Sequence, residues 1–141
     1  MLHFNPYLNF MGNTEEAMNF YKSVLGGEFT LFQRYGDIPG GDKMPVEDQK
    51  KINHICLQFG DGLTIMATDF LASMGQRMVT GNNFHICLHT SSEKETERLY
   101  KGLCEGGKVE MPLNKTFWGA YFGMCIDRFG VQWMINYTYT K

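Results

Sequence analysis

At 141 residues the chain is long enough to bury a substantial core within one domain. Its 13 Lys and Arg residues against 15 Asp and Glu give a formal net charge of −2, and the cations are scattered, so no electrostatic footprint for nucleic acid is present. No apolar run approaches a bilayer span, the Met1–Pro6 segment lacks the basic and apolar regions of a secretory signal, and Cys56, Cys87, Cys104 and Cys125 stand far apart with no CxxC; the expectation is a cytoplasmic protein, off the membrane, with reduced thiols and no disulfide or zinc framework.

The first predicted strand covers 3–10, with Phe4, Leu8 and Phe10 on one face and Asn5, Tyr7 and Asn9 on the other. Asn13-Thr14-Glu15-Glu16 then supplies an N-cap residue and the glutamate three positions later that open a helix. Ala17, Phe20, Tyr21, Val24 and Leu25 form its apolar stripe, and Gly26-Gly27 stops it. Full burial of Phe20 would make Phe20→Ala cost about 3–5 kcal/mol. Strands follow at 28–35, 52–59 and 63–68, and the Gly/Pro-rich stretch Gly36 to Pro45 between the first two reads as a mobile flap. Residues 75–82 read as a linker between modules 1–74 and 83–141 of one domain. The second module offers a strand at 83–89 and a helix opened by Ser92 and Glu95, with Leu99, Tyr100 and Leu103 apolar and Gly106-Gly107 at its end. Strands at 108–113, 120–126 and 131–138 complete it.

The two halves repeat one another. Glu16/Glu95, Tyr21/Tyr100, Lys22/Lys101 and Gly27/Gly106 coincide at a single offset, Phe4–Leu8 answers Phe84–Leu88, and Gly62–Met66 answers Gly130–Met134. The order is βαβββ, twice, which predicts an α+β fold of two modules whose helices cover one face of curved mixed sheets. Strand alternation assigns the other face Tyr7, Phe32, Arg34, His54, Cys56, Gln58, Thr64, Met66, Thr68, His85, Cys87, His89, Gln132, Met134 and Asn136, a polar and aromatic lining suited to a concave ligand site.

Pro6-Tyr7-Leu8, Glu16-Ala17, Phe20-Tyr21, Gly26-Gly27, His54, Asp69, Gly106-Gly107, Pro112-Leu113, Thr116-Phe117-Trp118-Gly119 and Asp127-Arg128-Phe129-Gly130-Val131-Gln132-Trp133 together span nearly the whole chain. As a set they resemble the vicinal oxygen chelate superfamily of glyoxalase I, extradiol dioxygenases and bleomycin-resistance proteins, and within it the PhnB-like branch. The resemblance implies paired modules forming a shared cup, a homodimer, and a small-molecule ligand. It also implies metal-ligand positions near Asn5, Met66, His85 and Met134, of which only His85 is a usual ligand. An imidazole, an amide and two thioethers suit a catalytic zinc or iron ion poorly, so the metal-dependent activities do not transfer with the resemblance. PhnB-like chains have been labelled demethylubiquinone methyltransferases, but no strand here leads through a Gly-rich loop into a helix as a methyl donor usually requires.

The candidate ligand-binding residues are Asn5, Tyr7, Phe32, Arg34, His54, Met66, Asp69, His85, Trp118 and Met134. His85 is either a hydrogen-bonded strand histidine or a catalytic or metal-binding one, joined in the second case by His54 or His89 around a divalent metal. Arg34 is either a surface arginine or a fork for a carboxylate or phosphate. Trp118 is a core aromatic or a stacking wall, and Asp69 a turn cap or a general base. Met66 and Met134 suggest an adaptable apolar floor. Three functions stay open: a binding protein or lyase/isomerase-like enzyme acting on a compact polar or aromatic molecule, a metal-dependent enzyme, and a non-catalytic sequestering protein.

Overall fold

The computed structural model describes residues 1–140. They divide into two compact units, Met1–Val79 and the described residues from Thr80 onward, each built on one four-stranded mixed sheet.

In the first unit the sheet runs β1 (Tyr7–Phe10), β4 (Leu63–Asp69), β3 (Ile52–Phe59), β2 (Glu28–Arg34), with β1 parallel to β4 and the other pairs antiparallel. Helix α1 (Thr14–Leu25) lies on β3 and β4. Thr14, Ala17, Met18 and Tyr21 are its buried residues, spaced as one helical face, and they meet Leu8, Phe10, Ile55, Leu57, Ile65 and Ala67 in the core. Phe20 is only half-buried, because the stripe is centred on Met18, one position round the helix from the expected centre.

The first strand is shorter than expected. Pro6 has no N–H to donate, so the parallel ladder begins at its carbonyl, which accepts from Met66 N at 3.1 Å, and Phe4 lies outside the sheet, fully exposed. The start of α1 also differs: Asn13 makes no side-chain cap, and the buried Asp69 carboxylate takes its place, its Oδ1 accepting from Gly12 N at 2.9 Å and Thr14 N at 3.0 Å. The stretch expected as a flap is folded into two 3-10 turns (Tyr35–Asp37 and Gly41–Lys43) and the single turn α2 (Val46–Gln49). Gln49 Nε2 fastens it by donating to Met44 O at 2.8 Å, and Asp48 holds its base by accepting from Ser73 Oγ at 2.6 Å.

The second unit repeats the plan. Strand β5 (Ile86–His89) is parallel to β8 (Gln132–Thr138), followed by β7 (Ala120–Ile126) and β6 (Lys108–Lys115). Strand β5 also starts late, since its partner begins only one residue before the Ile86↔Trp133 pair and leaves residues 83 and 84 no backbone to bond. Helix α3 (Glu93–Cys104) packs on β6, β7 and β8 over Leu99, Leu103, Cys125, Trp133 and Ile135. Here the expected cap forms, with Ser92 Oγ accepting from Glu95 N at 3.1 Å and Glu95 Oε1 accepting from Ser91 N at 3.0 Å.

Helices α1 and α3 are each followed by a glycine pressed against the far end of the sheet. A Cβ on Gly27 would meet Gln58 O at 2.1 Å, and one on Gly107 would meet Ile126 O at 2.1 Å, so no other residue fits either place without moving backbone.

Each sheet also carries a β-bulge at the same place. Phe29 pairs with Leu57 and Leu31 with Cys56, leaving Thr30 as an extra residue, while Val109 pairs with Cys125 and Met111 with Met124, leaving Glu110. The extra residue inverts the alternation of everything that follows it in β2. Phe32 thereby shares the helix side of the sheet with its partner Ile55, exposed beyond the helix itself, and a second shift sets Arg34 beside Ile52 on that same side.

Candidate functional site

The face of each sheet away from its helix is built from register-paired rows. In the first unit one row runs Tyr7, Met66, Cys56, Leu31; in the second the corresponding row runs Cys87, Met134, Met124, Met111. The methionines Met66 and Met134 occupy equivalent places and are half-buried. Flexible thioethers make an adaptable apolar floor in both units.

Polar chemistry is set on that floor differently in each unit. In the first, Tyr7 Oη and His54 Nδ1 share a hydrogen bond of 2.8 Å, with ring centroids 5.4 Å apart and planes tilted by 30°. Burial pushes the Tyr7 phenol above its ordinary range, so it stays protonated at neutral pH and is a donor to the imidazole. In the second, His85 Nε2 lies 2.9 Å from Glu110 Oε1, an ion pair when the imidazole is protonated. Glu110 was invisible as a site residue because its position depends on the bulge; the aligned Thr30 of the first half gives no hint of an acid.

The remaining candidates divide. Trp118 is exposed at the turn between β6 and β7, edge-on to Phe117 at 5.0 Å and to Phe122 at 6.1 Å, and so extends the helix-free face with an aromatic wall. Asn5 precedes β1 and donates from Nδ2 only to its neighbour's carbonyl, Pro6 O, at 3.3 Å. Phe32 and Arg34 are corrected to the helix side by the bulge. The Arg34 guanidinium clamps Glu15 of α1 at 2.9 and 3.0 Å, donates to Lys50 O at 2.7 Å, and lies 5.0 Å from the Phe32 ring centroid. The hydrogen bond to Glu15 holds its pKa above the ordinary value, and its fork is occupied within the protein. Asp69 is likewise structural: besides capping α1 it accepts from Ile52 N at 2.8 Å through Oδ2.

Among the described residues no group of three His, Cys, Asp or Glu is placed to hold a metal ion. His54 is engaged by Tyr7, His85 by Glu110, and His89 by Cys87 and Asn136. With Asn5, Met66 and Met134 at the other ligand positions of the resemblance, the donor set does not fit a catalytic divalent ion.

The sequence and the fold have relatives. The model of the Glyoxalase/Bleomycin resistance protein/Dioxygenase superfamily matches residues 3–135. Protein YjdN of Escherichia coli K12 is 32% identical over 140 residues, covering 94% of this chain and 92% of its own. The crystal structure of protein PA1353 from Pseudomonas aeruginosa superposes with a TM-score of 0.86 at 40% identity over 98% of both chains. A PhnB protein from Bacillus cereus superposes with a TM-score of 0.78 over 97% of this chain and 100% of that one; at 23% identity the likeness is one of fold.

Proposed function

Because this chain belongs to the glyoxalase/bleomycin resistance protein/dioxygenase superfamily, we propose that it binds a compact polar or aromatic molecule on the helix-free faces of its sheets, through its own side chains rather than a metal. The observation that carries this is the Tyr7–His54 pair standing over Met66: a protonated phenol and an imidazole joined at 2.8 Å offer hydrogen-bonding groups beside an apolar floor. Nε2 of His54 has no hydrogen-bond partner among the described residues, which leaves it for a ligand. The exposed Trp118 beside Phe122 adds stacking surface for a planar ring. Fold membership alone does not separate an enzyme from a sequestering protein.

The test is a thermal-shift screen of small phenols, aromatic acids and hydroxy acids, with hits titrated calorimetrically into wild type, Tyr7→Phe and His54→Ala. Loss of at least about tenfold in affinity with preserved fold supports the reading, an amount equal to roughly one charge-assisted hydrogen bond. Equal affinity in all three proteins overturns it. Chromatographic assay of each hit for conversion then decides between catalysis and sequestration, and light scattering tests the homodimer that the family resemblance implies.

A further inference from the structure

We propose that Cys87, His89 and Asn136 form a nucleophilic thiol site that captures α,β-unsaturated carbonyl compounds by conjugate addition. Cys87 and His89 lie two apart on β5 and so share a face, and His89 is the register partner of Asn136 on β8. Cys87 Sγ is 3.6 Å from His89 Nε2, and His89 Nδ1 is 3.2 Å from the Asn136 amide. The order is thiol, imidazole, amide, the arrangement in which a third group orients a base toward a nucleophile. None of the three is inherited from the repeat, since Tyr7, Asn9 and Thr68 hold the equivalent places in the first unit.

The chain works in one amide orientation, with Asn136 Oδ1 accepting from Nδ1–H and leaving the Nε2 lone pair on the thiol. Turning the amide costs no hydrogen bond. Its other partner is Thr138 Oγ1 at 3.2 Å, a hydroxyl that donates as readily as it accepts. Cys87 is the one exposed thiol among the four; Cys56 and Cys125 are buried and Cys104 is half-buried. Although the residue is exposed, partial desolvation of the sulfur raises the Cys87 pKa, so thiolate is scarce at neutral pH and the proton must leave for a base as the bond forms.

The step balances without a co-reactant. His89 Nε2 takes the Sγ proton, Sγ bonds the β-carbon, the C=C π pair moves into the enolate, and the proton returns from Nε2 to the α-carbon. Met134 beside Cys87, with Phe122 in the row of His89 and Trp118 beyond it, favours an electrophile with an aromatic or aliphatic body. This goes beyond reversible binding and does not involve Tyr7 or His54.

The experiment is timed labelling of the reduced protein with N-phenylmaleimide, itself an α,β-unsaturated carbonyl, read by intact mass and peptide mapping. The expected result is a first adduct on Cys87, formed faster than on glutathione, with a pH profile that the His89 substitutions change. His89→Ala and His89→Gln, each shown folded by circular dichroism, slow it by about 10²-fold. Asn136→Ala, removing a positioning residue, lowers the rate and shifts the midpoint of the pH profile. A first adduct on Cys104, an unchanged Cys87 rate in both His89 variants, or a rate that follows thiol ionisation alone would each overturn the proposal.

Discussion

Tyr7 Oη and His54 Nδ1 meet at 2.8 Å although 47 positions separate them in the chain, because β4 lies between their strands and carries Met66 and Thr68 beneath them. Burial of the phenol favours its neutral form, so its folded pKa is raised and the associated stability is fully present below the ordinary tyrosine value. That stability is lost as pH rises through the raised value. Tyr7→Phe is expected to be as stable as wild type near neutrality to within about 1 kcal/mol. Urea midpoints measured up a pH series will then fall less steeply for the variant in the alkaline range.

Asp69 satisfies three backbone donors, Gly12 N, Thr14 N and Ile52 N, from one buried carboxylate. Asp69→Ala strands them, and a loss of about 3 kcal/mol or more is expected in denaturant melts. Asp69→Asn retains one acceptor oxygen and will lose less. Equal losses in the two variants would show that the helix is held by packing alone.

The helix stripe gives a paired test. Met18 is fully buried and Phe20 half-buried, so Met18→Ala is expected to cost about 2–5 kcal/mol and Phe20→Ala clearly less, despite the larger side chain removed. Chemical denaturation of both variants reads the order directly.

Thr14 Oγ1 is buried and has no hydrogen-bond partner among the described residues. On the other helix the buried Thr96 hydroxyl, by contrast, donates to Ser92 O at 2.7 Å. Replacing the orphaned hydroxyl by a methyl in Thr14→Val keeps the shape and removes a desolvation cost, so a gain of about 1 kcal/mol is expected. A lower melting temperature would contradict this.

Hydrogen bonding from Ser73 holds the Asp48 carboxyl below the ordinary carboxylate range, with Lys51 assisting at 3.2 Å. A depressed folded pKa gives stability that is present above the unfolded value and lost as pH falls through the folded one. Ser73→Ala should therefore melt lower than wild type at neutral pH and converge with it in acid. Calorimetric scans across the acid range measure that convergence.

The duplicated order of elements was legible because it rests on local signals: the glutamates near each helix start, the glycines at each end, and alternation in β3 and β7, whose bounds agree with the structure. Tyr7, His54, Met66, His85 and Met134 fell on the expected face for the same reason. Phe32 and Arg34 did not, since a bulge is defined by a partner strand and leaves no mark in the sequence of its own. Asp69 as the cap of α1 was hidden in a similar way, because the carboxylate reaches the helix from 55 residues along the chain. Met18 was missed because a methionine in a polar neighbourhood looks like a surface residue until its helix is docked.

The extra residue at Thr30 makes β2 sensitive to a change that point substitution does not reach. Loss of Thr30 would only remove the bulge and leave Leu31 opposite Cys56 and Phe32 opposite Ile55, whereas insertion of one residue after it, with the bulge kept, would turn Phe32 and Arg34 outward and carry Leu31 and Gln33 to the helix side. A single in-frame insertion would exchange the side chains offered to a ligand along the rest of the strand while the repeat, the glycine stops and both helix stripes stay intact. In a lineage built by duplication, such length changes are a short route from one specificity to another.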